Sequence, residues 1–347
     1  MSNTMRRQEC RVELAGQANQ DTWPATSRGL RERGAAAVLM YGGPGQDLHW
    51  LDSVHATGWV RGRSNLAAGE LAAAWDGARG QGFVAADAVL LALAGSDPLR
   101  LPLLSWDAWP PAAVAPPAAV PAPLGLYAIV DSVPALRQVL AAGIATVQLR
   151  IKQPGDADAA WQAGLRAQLR EGIAATRAAG ATLFVNDHWR LAAELGAQAV
   201  HLGQEDLAAL SDEGRAALRA TGLQLGVSSH AVWELCCAIG LAPRYVACGP
   251  VWPTVTKDMP WRPQGLDNLA WWCRAAGRPV VAIGGILTPR QVRSAARSGA
   301  DGVCVLRGLW PDPRQTVPAL KEAFELGRQE RDGLAPAWPH PTLEPAA

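Results

Sequence analysis

Polar residues recur at every second position of the otherwise apolar segment TVQLRIK, Thr146 to Lys152. Gln148, Arg150 and Lys152 therefore share one face of an extended strand. Burying three such groups is costly unless they meet a ligand, a carboxylate or water. Farther along, TLFVND ends in Asn186 and Asp187, and HLGQED carries His201, Gln204 and Asp206. Two carboxylates at one site suit a hard divalent cation such as Mg2+, which takes few protein oxygens and completes its octahedron with water and phosphate. Asp206, standing before LAALSDEG, is equally suited to cap a helix. Ser228, Ser229 and His230 follow LGV with no Gly-x-Ser-x-Gly elbow around them. Hydrogen bonding to a phosphate or a ring nitrogen is expected there, not a covalent serine mechanism.

The long stretch GPVWPTVTKDMPWRPQG reads as a lid or binding loop. Its Thr254, Thr256 and Lys257 offer two hydroxyls and a cation, a set suited to pyrophosphate, with a merely solvated loop as the alternative. Gly284 and Gly285 in AIGGI, and Gly308 after Arg307, would let the backbone approach a phosphate closely. A divalent-metal site, a pyrophosphate site and a separate phosphate site describe an enzyme that joins a pyrophosphate-activated substrate to a phosphorylated one. An internal salt-bridge network around Arg150 and Lys152 is the competing account.

These residues need a scaffold that gathers strand ends. From Gly125 onward, eight β-rich runs (LYAIVD, TVQLRIK, TLFVND, AVHLG, LGVSS, YVACGPV, VVAIGG, GVCVLRG) alternate with Ala- and Leu-rich helical stretches. Eight βα units over about 200 residues predict a closed (β/α)8 TIM barrel, with working residues at the C-terminal ends of its strands. Val147, Leu149 and Ile151 would then face the helices while Gln148, Arg150 and Lys152 face inward. The barrel is expected over residues 124–331, after a smaller α/β region over residues 1–105 and a Pro/Ala-rich linker over residues 106–123. Residues 332–347 are expected to be a disordered tail.

With 49% hydrophobic residues, 18% charged residues and a net charge of +1, the 347-residue chain has no general attraction to nucleic acid or anionic membrane. Its longest apolar run falls far short of the roughly 18 residues of a membrane span. The six Cys show no zinc-type pairing, and the N-terminal residues lack the apolar core of a signal peptide, so a cytoplasmic enzyme is expected. The tryptophans of LAWWCRAAG are expected to pack a helix layer or an interface rather than stack on substrate. A homo-oligomer is left open.

The motifs QLRIK, VND, HLGQED, GVSSH, GPVWPTVTKDMPWRPQG and AIGGI, in this order, closely resemble the thiamine-phosphate synthase family over about residues 125–326. The resemblance implies coupling of hydroxymethylpyrimidine diphosphate to hydroxyethylthiazole phosphate with release of pyrophosphate, assisted by Mg2+. It implies that Gln148, Arg150, Lys152 and Asn186 hold the pyrimidine diphosphate, that Asp187 and Asp206 hold Mg2+, and that His201 lies near the pyrimidine. Ser228 and Lys257 would stabilise the departing pyrophosphate. Thr254, Thr256 and Gly285 would bind the thiazole phosphate, which replaces the pyrophosphate reading of the two hydroxyls. One departure is VLRGLW, where the family often has a small Ser-containing segment; Arg307 there could strengthen phosphate binding or crowd the pocket.

The N-terminal region weakly resembles the last third of the ribokinase-like pyrimidine phosphate kinase that can be fused to such a synthase. GRSNLAAG stands where that family has its anion hole and catalytic residue, so no kinase activity is expected. Two competing readings are a thiazole tautomerase-like enzyme, against which PTVTK and the complete QLRIK set argue, and a non-catalytic barrel that binds phosphorylated ligands.

Overall fold

Short runs rich in β-branched and aromatic residues build the first sheet. They form β1 (Cys10–Leu14), β2 (Ala37–Tyr41), β3 (Leu48–Ser53), β4 (Thr57–Arg61) and the short β5 (Leu103–Leu104), joined in that order. β1 runs parallel to β2, and the remaining pairings are antiparallel. The helices of this region are α1 (Trp23–Glu32), α2 (Ala68–Gly80) and α3 (Ala85–Ala94). The computed structural model describes residues 9–16, 19–106, 110–112, 122–255, 260–331 and 337–343.

The chain divides into two compact units, one comprising Met1–Ala115, Ala231–Leu241 and His340–Ala347, the other Pro116–His230 and Ala242–Pro339. In the first, Trp23 and Leu30 of α1 pack with Val38, Met40, Trp50 and Trp59 of the sheet. Trp50 Nε1 donates to Ser27 Oγ at 2.9 Å, so this buried indole N–H is satisfied. His49 is fully buried. Its Nδ1 accepts from the Gly42 N–H at 3.1 Å, which makes Nε2 the donor to the Gly62 carbonyl at 2.9 Å. An accepting Nδ1 means a neutral ring, and burial, which lowers its pKa, acts in the same sense; this histidine braces two loops.

The second sheet closes on itself. Its strands are β6 (Gly125–Val130), β7 (Thr146–Leu149), β8 (Thr182–Asn186), β9 (Ala199–Leu202), β10 (Gln224–Ser229), β11 (Tyr245–Cys248), β12 (Val280–Ala282) and β13 (Gly302–Val305). All neighbours are parallel, and β13 returns to β6 through Gly302↔Gly125 and Val303↔Leu126. The intervening helices are α4 (Val133–Ala141), α5 (Ala159–Ala178), α6 (Trp189–Glu194), α7 (Gln204–Ala208), α8 (Asp212–Ala220), α9 (Val232–Gly240), α10 (Gly265–Ala275) and α11 (Pro289–Arg297), with α12 (Pro313–Gln329) after β13. This is the expected (β/α)8 barrel. One strand is shorter than TVQLRIK suggests: β7 stops at Leu149, opposite Val185, so Arg150, Ile151 and Lys152 leave the sheet at the barrel mouth.

Helix α9 follows β10 in sequence but clusters with the first unit. Its N-cap residue, Ala231, has no side-chain acceptor, and the carboxylate of Asp87 on α3 takes that role. Asp87 Oδ1 accepts from the Trp233 N–H at 2.8 Å. Asp87 is fully buried, and burial pushes its pKa up to about 7, with the charge of Glu234 adding and the Trp233 and Val232 N–H groups opposing.

The tail expected to be disordered has structure where it is described. Trp338 sets its ring edge-on to Trp271 at 6.5 Å, and Thr342 and Leu343 are buried. Trp338 stays 39% exposed, so the buried Thr342 and Leu343 are the firmer hold on this Pro-rich segment. Of this tail, residues 332–336 and 344–347 lie outside the described residues, as do 107–109 and 113–121 of the linker. Trp271 and Trp272 are buried in the helix layer, as expected of them.

Candidate active site

Because every strand of the barrel is parallel, the ends of β7 to β10 open onto one mouth. Lys152, just beyond β7, donates to Asp187 Oδ2 at 2.8 Å. With the ammonium 55% exposed and the carboxylate 22% exposed, this pair contributes about 1 kcal/mol or less to folding. Asp187 occupies a left-handed backbone conformation, φ 63°, immediately after β8. Its N–H donates to the His201 carbonyl at 3.0 Å, which turns the chain as it leaves the strand.

Asp206 reaches the same place from α7. Its Oδ2 accepts from the Gly203 N–H at 3.2 Å; Gly203 is the N-cap of the helix, and Asp206, its third residue, reaches back to it instead of capping the helix itself. Asp206 also lies near enough to Asp187 and Lys152 to feel both charges. Burial first, and then the neighbouring Asp187 charge, hold the Asp206 pKa above the usual carboxylate range. Two neighbouring carboxyls at a barrel mouth would offer the hard oxygens that a divalent cation takes. The donor set fits Mg2+, which needs few protein ligands. Among the described residues no group of three or more His, Cys, Asp and Glu is placed to hold a metal.

Asn186, the last residue of β8, is 4% exposed, and its amide Nδ2 has no hydrogen-bond partner. A buried donor at a barrel mouth can be met by a water or by an oxygen or ring nitrogen of a ligand. Arg150, one residue past the end of β7, is half-buried. Gln148 differs: it is 3% exposed inside the barrel, with Nε2 3.4 Å from Tyr127 Oη.

His201 of β9 is 8% exposed, and burial pushes its pKa down to about 4; Asp187 opposes this, while His230, Arg150 and Lys152 add to it. Its Nδ1 lies 2.8 Å from Tyr245 Oη and its Nε2 3.0 Å from Ser228 Oγ. Ser229 points the other way, accepting from Trp272 Nε1 at 2.9 Å and donating to the Ala247 carbonyl at 3.1 Å. Of the Ser-Ser-His run, then, Ser229 serves the helix layer and only Ser228 meets His201. His230 stacks on Trp261 with ring centroids 5.2 Å apart.

On the far side of the mouth, Gly284 and Gly285 have φ of 94° and 69°. A Cβ on Gly285 would lie 2.6 Å from Trp252 Cβ and 2.7 Å from the Pro253 carbonyl, so close packing of the loop after β11 already demands glycine. Thr254 of that loop is half-buried, whereas Thr256 and Lys257 lie outside the described residues. Arg307 is exposed in the turn after β13, beside Gly308, whose Cα approaches the Leu287 backbone.

The family model described as thiamine monophosphate synthase matches residues 126–309, more than half of the chain. The chain belongs to the thiamine monophosphate synthase family. Over 190 residues it is 44% identical to a thiamine-phosphate synthase of Rhizobium etli, covering 54% of this chain and 88% of the relative. Over 191 residues it is 48% identical to one from Escherichia coli, covering 55% and 86%. A solved thiamine phosphate pyrophosphorylase from Pyrococcus furiosus superimposes with a TM-score of 0.50 at 28% identity, covering 59% of this chain and 96% of that one.

Family membership accounts for the motifs at the mouth, but two residues behind them escaped the sequence reading. Tyr127 and Tyr245 are fully buried in the barrel, Oη to Oη 2.9 Å, and support Gln148 and His201 from below. Both stand in strands that read simply as apolar. The available signal was scarcity: the chain has 3 Tyr, and two of them fall in barrel strands.

Proposed function

We propose that the barrel is a thiamine-phosphate synthase that couples hydroxymethylpyrimidine diphosphate to hydroxyethylthiazole phosphate. The observation that carries this reading is the apposition of the Asp187 and Asp206 carboxyls beside Lys152, a site for a magnesium diphosphate within a barrel of this family. When bound between these carboxylates, Mg2+ would neutralise the diphosphate and ease its departure.

Lys152 and Arg150 provide positive charge for the diphosphate, and the free Nδ2 of Asn186 donates to the pyrimidine portion. His201 enters as a neutral imidazole and adds no cation beside the electron-poor ring. The carbon–oxygen bond breaks with its electron pair leaving on pyrophosphate, and the aminopyrimidine delocalises the methylene cation. The thiazole nitrogen lone pair then forms the new carbon–nitrogen bond. That nitrogen carries no proton, so no general base is required. Charge placement and alignment are the protein's contributions. Ser228 and Lys257 would steady the departing pyrophosphate. Thr254, Thr256, Gly285 and Arg307 would hold the thiazole phosphate opposite.

The first unit carries no kinase activity in this reading, since the stretch preceding α2 offers neither Cys nor Asp. The substrates are small molecules. A cytoplasmic enzyme fits the free thiols of all six Cys, and among the described residues no helix is long and apolar enough to cross a membrane.

Purified full-length protein should form thiamine phosphate from the two phosphorylated precursors with Mg2+ and lose that activity in chelator. Binding of both precursors without product would sink the synthase reading.

A further inference from the structure

A continuous line of hydrogen-bonding groups runs up the barrel axis. Gln148 Nε2 is 3.4 Å from Tyr127 Oη, Tyr127 Oη 2.9 Å from Tyr245 Oη, Tyr245 Oη 2.8 Å from His201 Nδ1, and His201 Nε2 3.0 Å from Ser228 Oγ. The first four are buried, and Ser228 stands half-buried at the open end. Phe184 packs against both tyrosines, and the His201 ring stacks on Tyr245 with 14° between planes. The hydroxyls and the imidazole are held by ring packing as well as by each other.

A hydroxyl has one proton to give, and a neutral imidazole has one N–H. If no buried hydroxyl proton is left without an acceptor, the line can run in only two directions. Running outward, Gln148 donates to Tyr127, Tyr127 to Tyr245, Tyr245 to His201 Nδ1, and His201 Nε2–H to Ser228. Running inward, Ser228 spends its proton on His201 Nε2, and the Gln148 amide must turn its carbonyl to Tyr127. The amide nitrogen faces Tyr127, which fits the outward run. The inward run would also leave Ser228 presenting only lone pairs to an anionic leaving group. Outward, its proton remains free for that anion.

We propose that Tyr127 and Tyr245 are positioning residues that fix His201 as the Nε2–H tautomer, so that Ser228 Oγ accepts from the imidazole and aims its own proton at the departing pyrophosphate. The inference rests on the synthase reading only for the identity of the anion that Ser228 faces. Both tyrosines are fully buried and reach the mouth only through Gln148 and His201. Their role is to decide which way a serine hydroxyl points.

The test is nitrogen-15 NMR of the histidine rings in full-length protein, with the His201 signals assigned by their loss in His201→Gln. His201 should show a protonated Nε2 and an unprotonated Nδ1. Tyr245→Phe keeps the ring and removes the Nδ1 donor, so the two tautomers should become mixed, and kcat should fall about tenfold, the equivalent of one hydrogen bond at the transition state, with both KM values little changed. Tyr127→Phe should give a smaller change in the same direction. A protonated Nδ1 in the unmodified protein would overturn the proposal, as would an unaltered tautomer and kcat in Tyr245→Phe. The tautomer is read without turnover, so failure of the synthase reading would be seen separately, as absence of product from the unmodified enzyme.

Discussion

Asp187 combines two demands at one position: a left-handed backbone and a carboxylate beside Lys152 and Asp206. Asn tolerates that backbone region and Ala does not, so the two substitutions separate the demands. Asp187→Asn should keep the fold and relieve the carboxylate pair, leaving melting in chelator unchanged or slightly raised. The Mg2+ concentration for half-maximal turnover should rise about tenfold or more, the effect of losing one charged ligand, ~1.4 kcal/mol. Asp187→Ala should add a destabilisation of about 1 kcal/mol from backbone strain. An unchanged magnesium dependence in Asp187→Asn would remove Asp187 from the metal site. At this scale the sequence was informative wherever polar residues broke an apolar strand end, as at Asn186, Asp187 and Ser228. It was silent on Tyr127 and Tyr245, because a tyrosine in an apolar strand gives no indication of which group its hydroxyl meets.

The eight strands were legible from alternation, since each apolar run is bounded by helical stretches. Their ends were not, because pairing stops where a neighbour stops: β7 ends opposite Val185, a fact about β8. Register hides another requirement. Gly226 of β10 lies opposite Tyr245 of β11, and a Cβ there would come within 2.4 to 2.6 Å of the phenol ring. Gly226→Ala should therefore cost about 1–3 kcal/mol through overpacking, visible as a lower Tm. It should also move Tyr245 away from His201 and reduce kcat. Combining it with Tyr245→Phe should give less than the sum of the two kcat losses, since both act through one hydrogen bond. Full additivity in kcat would mean that Gly226 matters only for packing.

Over the whole molecule, Asp87 supplies the clearest pH signature. Its pKa is raised by burial from the ordinary 3.8 to about 7, so the folded chain holds a proton that the unfolded chain releases. Its contribution therefore favours the fold below about pH 4 and is lost as pH rises through about 7. Asp87→Asn should remove that component: the Tm difference between variant and unmodified protein should move in favour of the variant from pH 5 to pH 8. A pH-independent difference would show that the carboxyl does not titrate there. Asp87→Ala should be destabilised at both pH values, because the first N–H groups of α9 would lose their acceptor.

The membership of Ala231–Leu241 in the first unit also bears on how the chain is made. On a ribosome, the N-terminal sheet emerges long before the helix that completes its unit, with most of the barrel strands synthesised between them. A unit closed over such a sequence separation cannot finish early, and its assembly is expected to be tied to that of the barrel. Cutting the chain within the Pro/Ala-rich residues 109–123 would divide it by sequence but leave one piece of the first unit on the wrong side of the cut.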